Sequence, residues 1–296
     1  MLLLEHISTT AVVDHLRVKI SPAVVADRLL ASIACWRKAR KQSFRFPRKK
    51  TLGKRKDYTK DYPISISMAS LTGKIVLITG SSIGIGRESA FLFSREGCTL
   101  ILTYCKDEKE AADAAEKCRT LGAPEAFVVR LDVTDDENIL GAVKKISEKF
   151  DKIDILVNNA GVILWKPFKE QTFDEIQSQC RVNYEGLVKF TLACLPLVKE
   201  TIINIASGAG KEAYPKLTTY CGTKFAVRGF TQALAQELKD IMVYCVNPRV
   251  TATRMTGFEG IHPSKVAEVI VNTAKGAYVL ESGDDVDVWD YFDDAD

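Results

Sequence analysis

From Lys74 onward the chain alternates between short unbroken apolar runs and longer amphipathic stretches, and nothing else in it restricts the fold so tightly. The runs read KIVLIT, TLILTY, AFVVRLDV, IDILVNNAG, TIINIAS and MVYCVNP. A strand with one wet face alternates apolar and polar residues, whereas one that is apolar throughout is buried on both faces. The stretches between them have helical spacing. ESAFLFSREG follows the first strand, and DEKEAADAAEKCRTLG closes at Gly122, as a helix C-terminus does. DDENILGAVKKISEKF carries acids in its first turn and Lys later, matching the helix dipole. Longer helical stretches occupy the regions near 172–198 and 219–240. Parallel strands need crossover connections, which place helices on both faces of the sheet. The expected fold is α/β: a single doubly wound domain over residues 68–296, with a parallel sheet and no internal repeat.

Charge divides the chain at the same place. Residues 1–67 carry 15 Lys/Arg against 5 Asp/Glu, while residues 68–296 carry 26 against 33. Within 37–60 basic residues are dense and apolar ones few, so this stretch cannot bury a core. Residues 1–67 are therefore expected to form a basic, disordered N-terminal extension, with a short amphipathic helix around VVADRLLASIACW. A targeting role, an anionic membrane or a nucleic acid would suit residues 37–60, but a solvated tail is the plainer reading. Met68, in MASLTGKIVLITG, reads like a natural beginning to the domain. No apolar run reaches membrane-spanning length. The eight Cys are scattered without a CxxC pair and the three His lie at 6, 15 and 262, so no metal site is expected. Such cysteines read as small buried hydrophobes in a reducing compartment, which implies a cytoplasmic location.

KIVLIT runs straight into TGSSIGIGR, which places Gly80, Gly84 and Gly86 at GxxxGxG spacing between a strand and a helix. A tight turn needs a residue without Cβ. Close approach of a pyrophosphate to the backbone needs another, and helix-on-strand packing a third. The helix N-terminus then offers unpaired N–H groups to phosphates. Ordinary turns also use Gly, but this cluster follows the first strand of an alternating chain, where a dinucleotide binds.

Further along, NNAG occupies 158–161, Ser207 ends IINIAS, and Tyr220 and Lys224 stand in TYCGTK. A Tyr and a Lys four residues apart are expected about once by chance in a chain this rich in Tyr. The ordered set, however, resembles the short-chain dehydrogenase/reductase family from Met68 to about the end of the chain. The resemblance implies a Rossmann domain and an NAD(P)-dependent oxidoreductase, moving hydride between the nicotinamide and a carbonyl or secondary alcohol. It implies Tyr220 as the acid/base, Ser207 as the group holding the substrate oxygen, and Lys224 as a nicotinamide-ribose ligand. Asn183, in RVNYEG, matches the Asn that completes the family's proton relay. The residues are suited to this chemistry. Positions i and i+4 share a helix face. A free Tyr has a pKa near ~10, and a neighbouring ammonium is expected to lower it. A phenol so tuned can protonate a carbonyl oxygen as hydride arrives.

For the cofactor the resemblance implies contacts from Gly80, Ser82, Ile83, Gly84, Ile85 and Gly86 in the turn, and from Asp132 and Val133 at the adenine. It adds Asn158, Ala160 and Gly161 from NNAG, Tyr220 and Lys224, and Pro248, Thr251 and Thr253 after the sixth strand. Other readings stay open: Asp132 as a helix cap, Asn183 as a cap or kink, and Tyr220 as half-buried packing. A free ribose 2′-hydroxyl usually meets an acid at the tip of the second strand. Here the tip is Tyr104–Cys105, followed by Lys106, and a cation suits a 2′-phosphate, so NADP is preferred over NAD.

The chain departs from the family pattern in four places. Ala206 stands where a second Ser is common, and Arg249 follows Pro248 where Gly is usual. The segment from Arg254 to Pro263 is short for a substrate lid, and ESGDDVDVWDYFDDAD lacks a Gly-rich closing strand, for which VDVW is a substitute. The resemblance also implies a homo-oligomer, a dimer or tetramer. Two further readings stand beside the oxidoreductase: a non-catalytic NADP-binding regulatory or sensor protein, and a nucleic-acid-associated protein acting through 37–60. A serine hydrolase lacks a base, because no His lies between Met68 and Ile261 and no GxSxG turn is present.

Overall fold

The computed structural model describes residues 68–292. The expectations for residues 1–67 and for the acidic last four residues lie outside them. Among the described residues, seven strands form one sheet in the order β3-β2-β1-β4-β5-β6-β7. They are β1 Ile75–Ile78, β2 Thr99–Tyr104, β3 Ala126–Arg130, β4 Ile153–Asn158, β5 Val198–Ile205, β6 Met242–Asn247 and β7 Asp285–Asp287. Every pair is parallel. The order reverses between β1 and β4, which opens a crevice beyond the C-terminal ends of the strands.

The helices are α1 Gly84–Arg95, α2 Glu108–Thr120, α3 Asp136–Ser147, α4 Phe173–Cys180, α5 Gly186–Cys194, α6 Thr218–Glu237 and α7 Pro263–Ala274. Strand residues alternate between two cores, as a period of two requires. Val76, Ile78, Leu100 and Leu102 pack with Phe93 of α1 and Val266 and Ile270 of α7. Leu77, Ile101 and Leu156 pack with Ile139 and Ile146 of α3 and Phe190 of α5. The sheet is thus covered on both faces, which explains the unbroken apolar runs. No helix among the described residues is long and apolar enough to cross a membrane.

Two stretches differ from the sequence reading. The helix expected near 172–198 is divided by a π turn, Arg181–Glu185, between α4 and α5. Its start follows the local signal: Thr172 accepts from the Glu175 N–H while the Glu175 carboxylate accepts from the Thr172 N–H. At the other end, only Val286 and Asp287 of VDVW are strand, and Val288–Asp290 form a 3₁₀ turn. β7 holds two acids, yet it pairs with β6 because other elements satisfy them. Arg228 of α6 donates Nε to Asp285 at 2.8 Å, and Asn247 donates to Asp285 at 3.0 Å and Asp287 at 2.9 Å. Burial raises the Asp285 pKa, but these bonds outweigh it and hold the carboxyl below its ordinary range.

Candidate active site

The glycine turn leaves β1 and enters α1. Gly80 and Gly84 have φ of 62° and 59°, the left-handed region that a Cβ disfavours. Gly86 faces a closer limit: a Cβ there would stand 2.5 Å from the Gly80 carbonyl oxygen and 2.6 Å from Asn159 Nδ2. Side chains outside the turn hold its shape. Asn159 Nδ2 donates to the Thr79 and Gly80 carbonyls at 2.9 and 3.1 Å, and Thr79 Oγ1 accepts from the Asn159 and Ala160 N–H groups at 2.9 Å. Buried Ser81 accepts from the Thr103 N–H at 2.8 Å, and Thr103 Oγ1 accepts from the Gly80 N–H at 3.1 Å. Ile83 supplies no side-chain cap to α1, so the helix's first N–H groups are left for an anion or solvent. Ser82 and Ile85 lie in the same partly buried turn.

The loop after β6 closes on this turn. Pro248 accepts from the Gly208 N–H at 2.8 Å, and Thr251 Oγ1 donates to the Arg249 carbonyl at 2.9 Å. The Thr253 methyl lies 3.2 Å from where a Cβ on Gly84 would stand. Between the two segments is a cavity of about 440 Å³, lined among others by Ile83, Gly84, Arg87, Thr253 and His262. Arg87 Nε is buried there without a hydrogen-bond partner among the described residues.

Beside the turn, four side chains converge. Ser207 lies two residues past β5 rather than within it, and its Oγ accepts from the Ala209 N–H at 3.1 Å. Tyr220 and Lys224, one turn apart on α6, are 8% and 5% exposed. Lys224 Nζ stands 5.7 Å from the centre of the Tyr220 ring and donates to the Ile205 carbonyl at 2.9 Å. Asn183 sits in the π turn, fully buried. Its Oδ1 accepts from the Val162 N–H at 2.7 Å, and its Nδ2 donates to the Val162 carbonyl at 2.8 Å and Thr223 Oγ1 at 3.2 Å. It therefore ties its helix to the segment after β4 and to α6 instead of capping. Asn183 and Lys224 meet at Gly161: a Cβ there would stand 3.3 Å from Asn183 Oδ1 and 3.7 Å from Lys224 Nζ.

Burial dominates the electrostatics. It pushes the Tyr220 phenol up to about 12, with the Ser207 hydroxyl pulling the other way, and pushes Lys224 down to about 8. The expected acidification of Tyr220 by Lys224 is therefore corrected. The ammonium stands over the ring and bonds a backbone carbonyl, and removal of the phenol from water dominates its pKa.

At the adenine side the predicted residues separate. Asp132 Oδ1 accepts from the Thr134 N–H at 2.9 Å and hydroxyl at 2.7 Å, and the Thr134 bonds hold its carboxyl below the ordinary range. The cap of α3 is Asp135, which accepts from the Asn138 N–H at 3.0 Å, so Asp132 is free of that role. Val133 is buried, with its carbonyl packed against Gly186. Asn158 is turned inward: it is 2% exposed and donates to Thr191 at 2.9 Å and Asn204 at 2.8 Å. Its side chain ties β4 to β5 and α5, and the cofactor contact expected of it is not presented to the crevice. Its neighbour Asn159, which the sequence reading passed over, holds the glycine turn instead. Lys106 is exposed just past β2. Arg130, also passed over, pairs in register with Tyr104, and both cations act on the intervening Cys105 thiol. Among the described residues no cluster of His, Cys, Asp or Glu is arranged to hold a metal ion.

Residues 74–262 match the family described as short chain dehydrogenase. The chain is 37% identical over 173 residues to estradiol 17-beta-dehydrogenase 11 of Mus musculus, covering 57% of each protein. It is 29% identical over 227 residues to the NADP-dependent 3-hydroxy acid dehydrogenase of Schizosaccharomyces pombe, covering 69% of this chain and 88% of that one. A crystal structure of a short chain dehydrogenase from Shigella flexneri, complexed with NADP, superposes with a TM-score of 0.69 at 25% identity, covering 74% of this chain and 98% of that one. The chain thus spans little more than half the length of the estradiol dehydrogenase that it matches.

Proposed function

The chain belongs to the short chain dehydrogenase family, and from that premise we propose that it is an NAD(P)-dependent oxidoreductase acting on a carbonyl or secondary alcohol. The buried Tyr220–Lys224 pair, with Ser207 at the Tyr220 hydroxyl and Asn183 meeting Lys224 at Gly161 beside the glycine turn, carries this reading. The residues fit a dinucleotide. Gly86 has no room for a Cβ, α1 begins without a side-chain cap, and the buried Lys224 ammonium has a single carbonyl partner among the described residues. When bound, the nicotinamide supplies or accepts hydride.

The chain's own groups do the rest. Tyr220, whose pKa is pushed up to about 12, is neutral at ordinary pH and holds a proton ready for a carbonyl oxygen. Ser207, beside it, holds that same oxygen. Lys224 offers its remaining hydrogens to ribose hydroxyls, and Asn183 fixes the Val162 backbone that frames the site. A neutral phenol suits carbonyl reduction. The reverse direction needs additional positive charge to reach the phenolate.

Gly80, Ser82, Ile83, Ile85, Ala160 and Pro248 supply backbone to the cofactor, and Thr251 and Thr253 close over it. NADP is preferred to NAD because Lys106 and Arg130 supply cations at the tip of β2, and because a relative and a solved neighbour carry NADP in their names. We place the catalytic domain at residues 68–296, with residues 1–67 as an extension. The free thiols among the described residues favour a reducing compartment such as the cytoplasm. Leu192 of α5 and Phe225 of α6, both exposed, support a homo-oligomer built through those helices. A sensor without turnover fits less well, because it has no use for a buried phenol and ammonium side by side.

The experiment is a panel of ketones and aldehydes with NADPH and NADH in parallel, followed at the nicotinamide absorbance band. Oxidation of either cofactor with any carbonyl supports the reading, and dinucleotide binding without turnover across a broad panel favours the sensor. Failure to bind either dinucleotide sinks both.

A further inference from the structure

Arg249, where the family resemblance expects a glycine, lies against the turn that carries Ser207. The Gly208 N–H donates to the Pro248 carbonyl at 2.8 Å, which sets the loop after β6 beside the residue that follows Ser207. From there the Arg249 side chain runs across Gly208, its Cγ 3.7 Å from where a Cβ on Gly208 would stand. Its guanidinium stacks on Trp289, 4.6 Å from the ring centre. The Trp289 ring packs on Gly208 as well, 3.5 Å from the same point. The bare Gly208 backbone therefore lets a rigid cation–aromatic pair lie next to Ser207.

A guanidinium stacked on an aromatic face keeps its in-plane donors available for a planar or tetrahedral anion. The neighbouring cations are already committed: Lys211 to Asp287, Arg228 to Asp285 and Arg254 to Glu110. Glu212, on the loop after Ser207, accepts from the Tyr214 hydroxyl at 3.3 Å. Arg249 is exposed, and among the described residues its guanidinium has the Trp289 ring and no carboxylate within ion-pair distance. The positive charge reaches Tyr214 on the same loop, where it opposes burial and Glu212 in setting the phenol.

We infer that Arg249 is a specificity-determining residue that receives an anionic group, a carboxylate or a phosphate, carried by the carbonyl substrate. The inference rests on the oxidoreductase reading above. The reacting carbonyl lies at Ser207 and Tyr220, and the anion extends outward to the edge formed by Arg249 and Trp289. A neutral ketone leaves the guanidinium unmatched.

The test reads binding, with the full chain held at saturating NADP⁺ and low ionic strength, by calorimetric titration of matched pairs. Levulinate is compared with its methyl ester, and dihydroxyacetone phosphate with dihydroxyacetone. The charged member is expected to bind about tenfold to a hundredfold more tightly, the range of a charge-assisted hydrogen-bond pair. Arg249→Met removes that preference, and Arg249→Lys keeps part of it. The pair with the larger ratio identifies the anion as carboxylate or phosphate. Equal affinity for charged and neutral members in the unaltered protein overturns the assignment, as does a ratio that survives Arg249→Met. The ratio is read without turnover. Absent hydride transfer with the charged preference intact therefore overturns the oxidoreductase reading alone, whereas turnover of neutral carbonyls with no charged preference overturns this one alone.

Discussion

Lys224 stands 5.7 Å from the centre of the Tyr220 ring, and both side chains are almost wholly buried. Burial moves the two pKa values apart, the phenol up to about 12 and the ammonium down to about 8, because each shift is toward that group's neutral form. The pair is therefore organised to hold a proton on the phenol.

Tyr220→Phe removes that proton and little else. Turnover with any carbonyl substrate is expected to fall about a thousandfold, within the range for a positioned general acid. NADPH affinity, read by fluorescence titration, is expected to change less than about threefold, since the lost hydroxyl is a small part of the dinucleotide contact. A variant with full turnover would show that the proton comes from elsewhere.

Lys224 carries a stability cost with a definite pH signature. Its folded pKa of about 8 lies below the ordinary lysine value, so between the two the unfolded chain binds more protons. Stability therefore rises with pH across that window, and the burial cost is fully present below about pH 8. Lys224→Met is expected to raise the unfolding free energy by about 1–2 kcal/mol at pH 7, after loss of the Ile205 hydrogen bond is allowed for. The gap should narrow toward ~10, below the point where Tyr220 begins to contribute. Urea unfolding at several pH values reads it. A variant less stable than the parent at pH 7 would refute the account of burial.

Two glycine substitutions should diverge. Gly86→Ala would put a Cβ 2.5 Å from the Gly80 carbonyl oxygen, and backbone must shift to admit it. A loss of about 2–4 kcal/mol is expected, as for other overpacked sites, together with weaker dinucleotide binding. Gly141, exposed in α3, has nothing within 4 Å of its missing Cβ, so Gly141→Ala should stabilise by about 0.5–1 kcal/mol through helix propensity. Thermal unfolding compares the two, and similar effects would mean that the glycine turn is looser than its geometry indicates.

Lys106→Glu tests cofactor choice. The NADPH-to-NADH affinity ratio is expected to fall at least about tenfold, as a charge-assisted contact to a 2′-phosphate becomes a repulsion. An unchanged ratio would shift the assignment to Arg130 alone.

The sheet was legible because its strands are apolar on both faces, a pattern that KIVLIT and TLILTY carry without help from the rest of the chain. β7 was less so. Asp285 and Asp287 become strand residues only when Arg228, Asn247 and Lys211 reach them from other elements. Adjacent asparagines in NNAG must point to opposite sides, but sheet packing decides which faces the glycine turn, and it is Asn159. The spacing of Tyr220 and Lys224 is local and visible. The burial that sets their protonation is made by residues distant in sequence.

The π turn at Arg181–Glu185 gives this stretch of chain a fixed length. A wide turn holds one residue more than regular winding requires. Ordinary winding of the same residues would rotate everything beyond the turn by about 100°. Phe190 and Cys194 would swing away from the interior they share with Leu156, and Asn183 would lose its register with Val162. A surface loop absorbs an added residue without consequence, but in a helix one residue more than the wide turn accommodates would change which side meets the sheet.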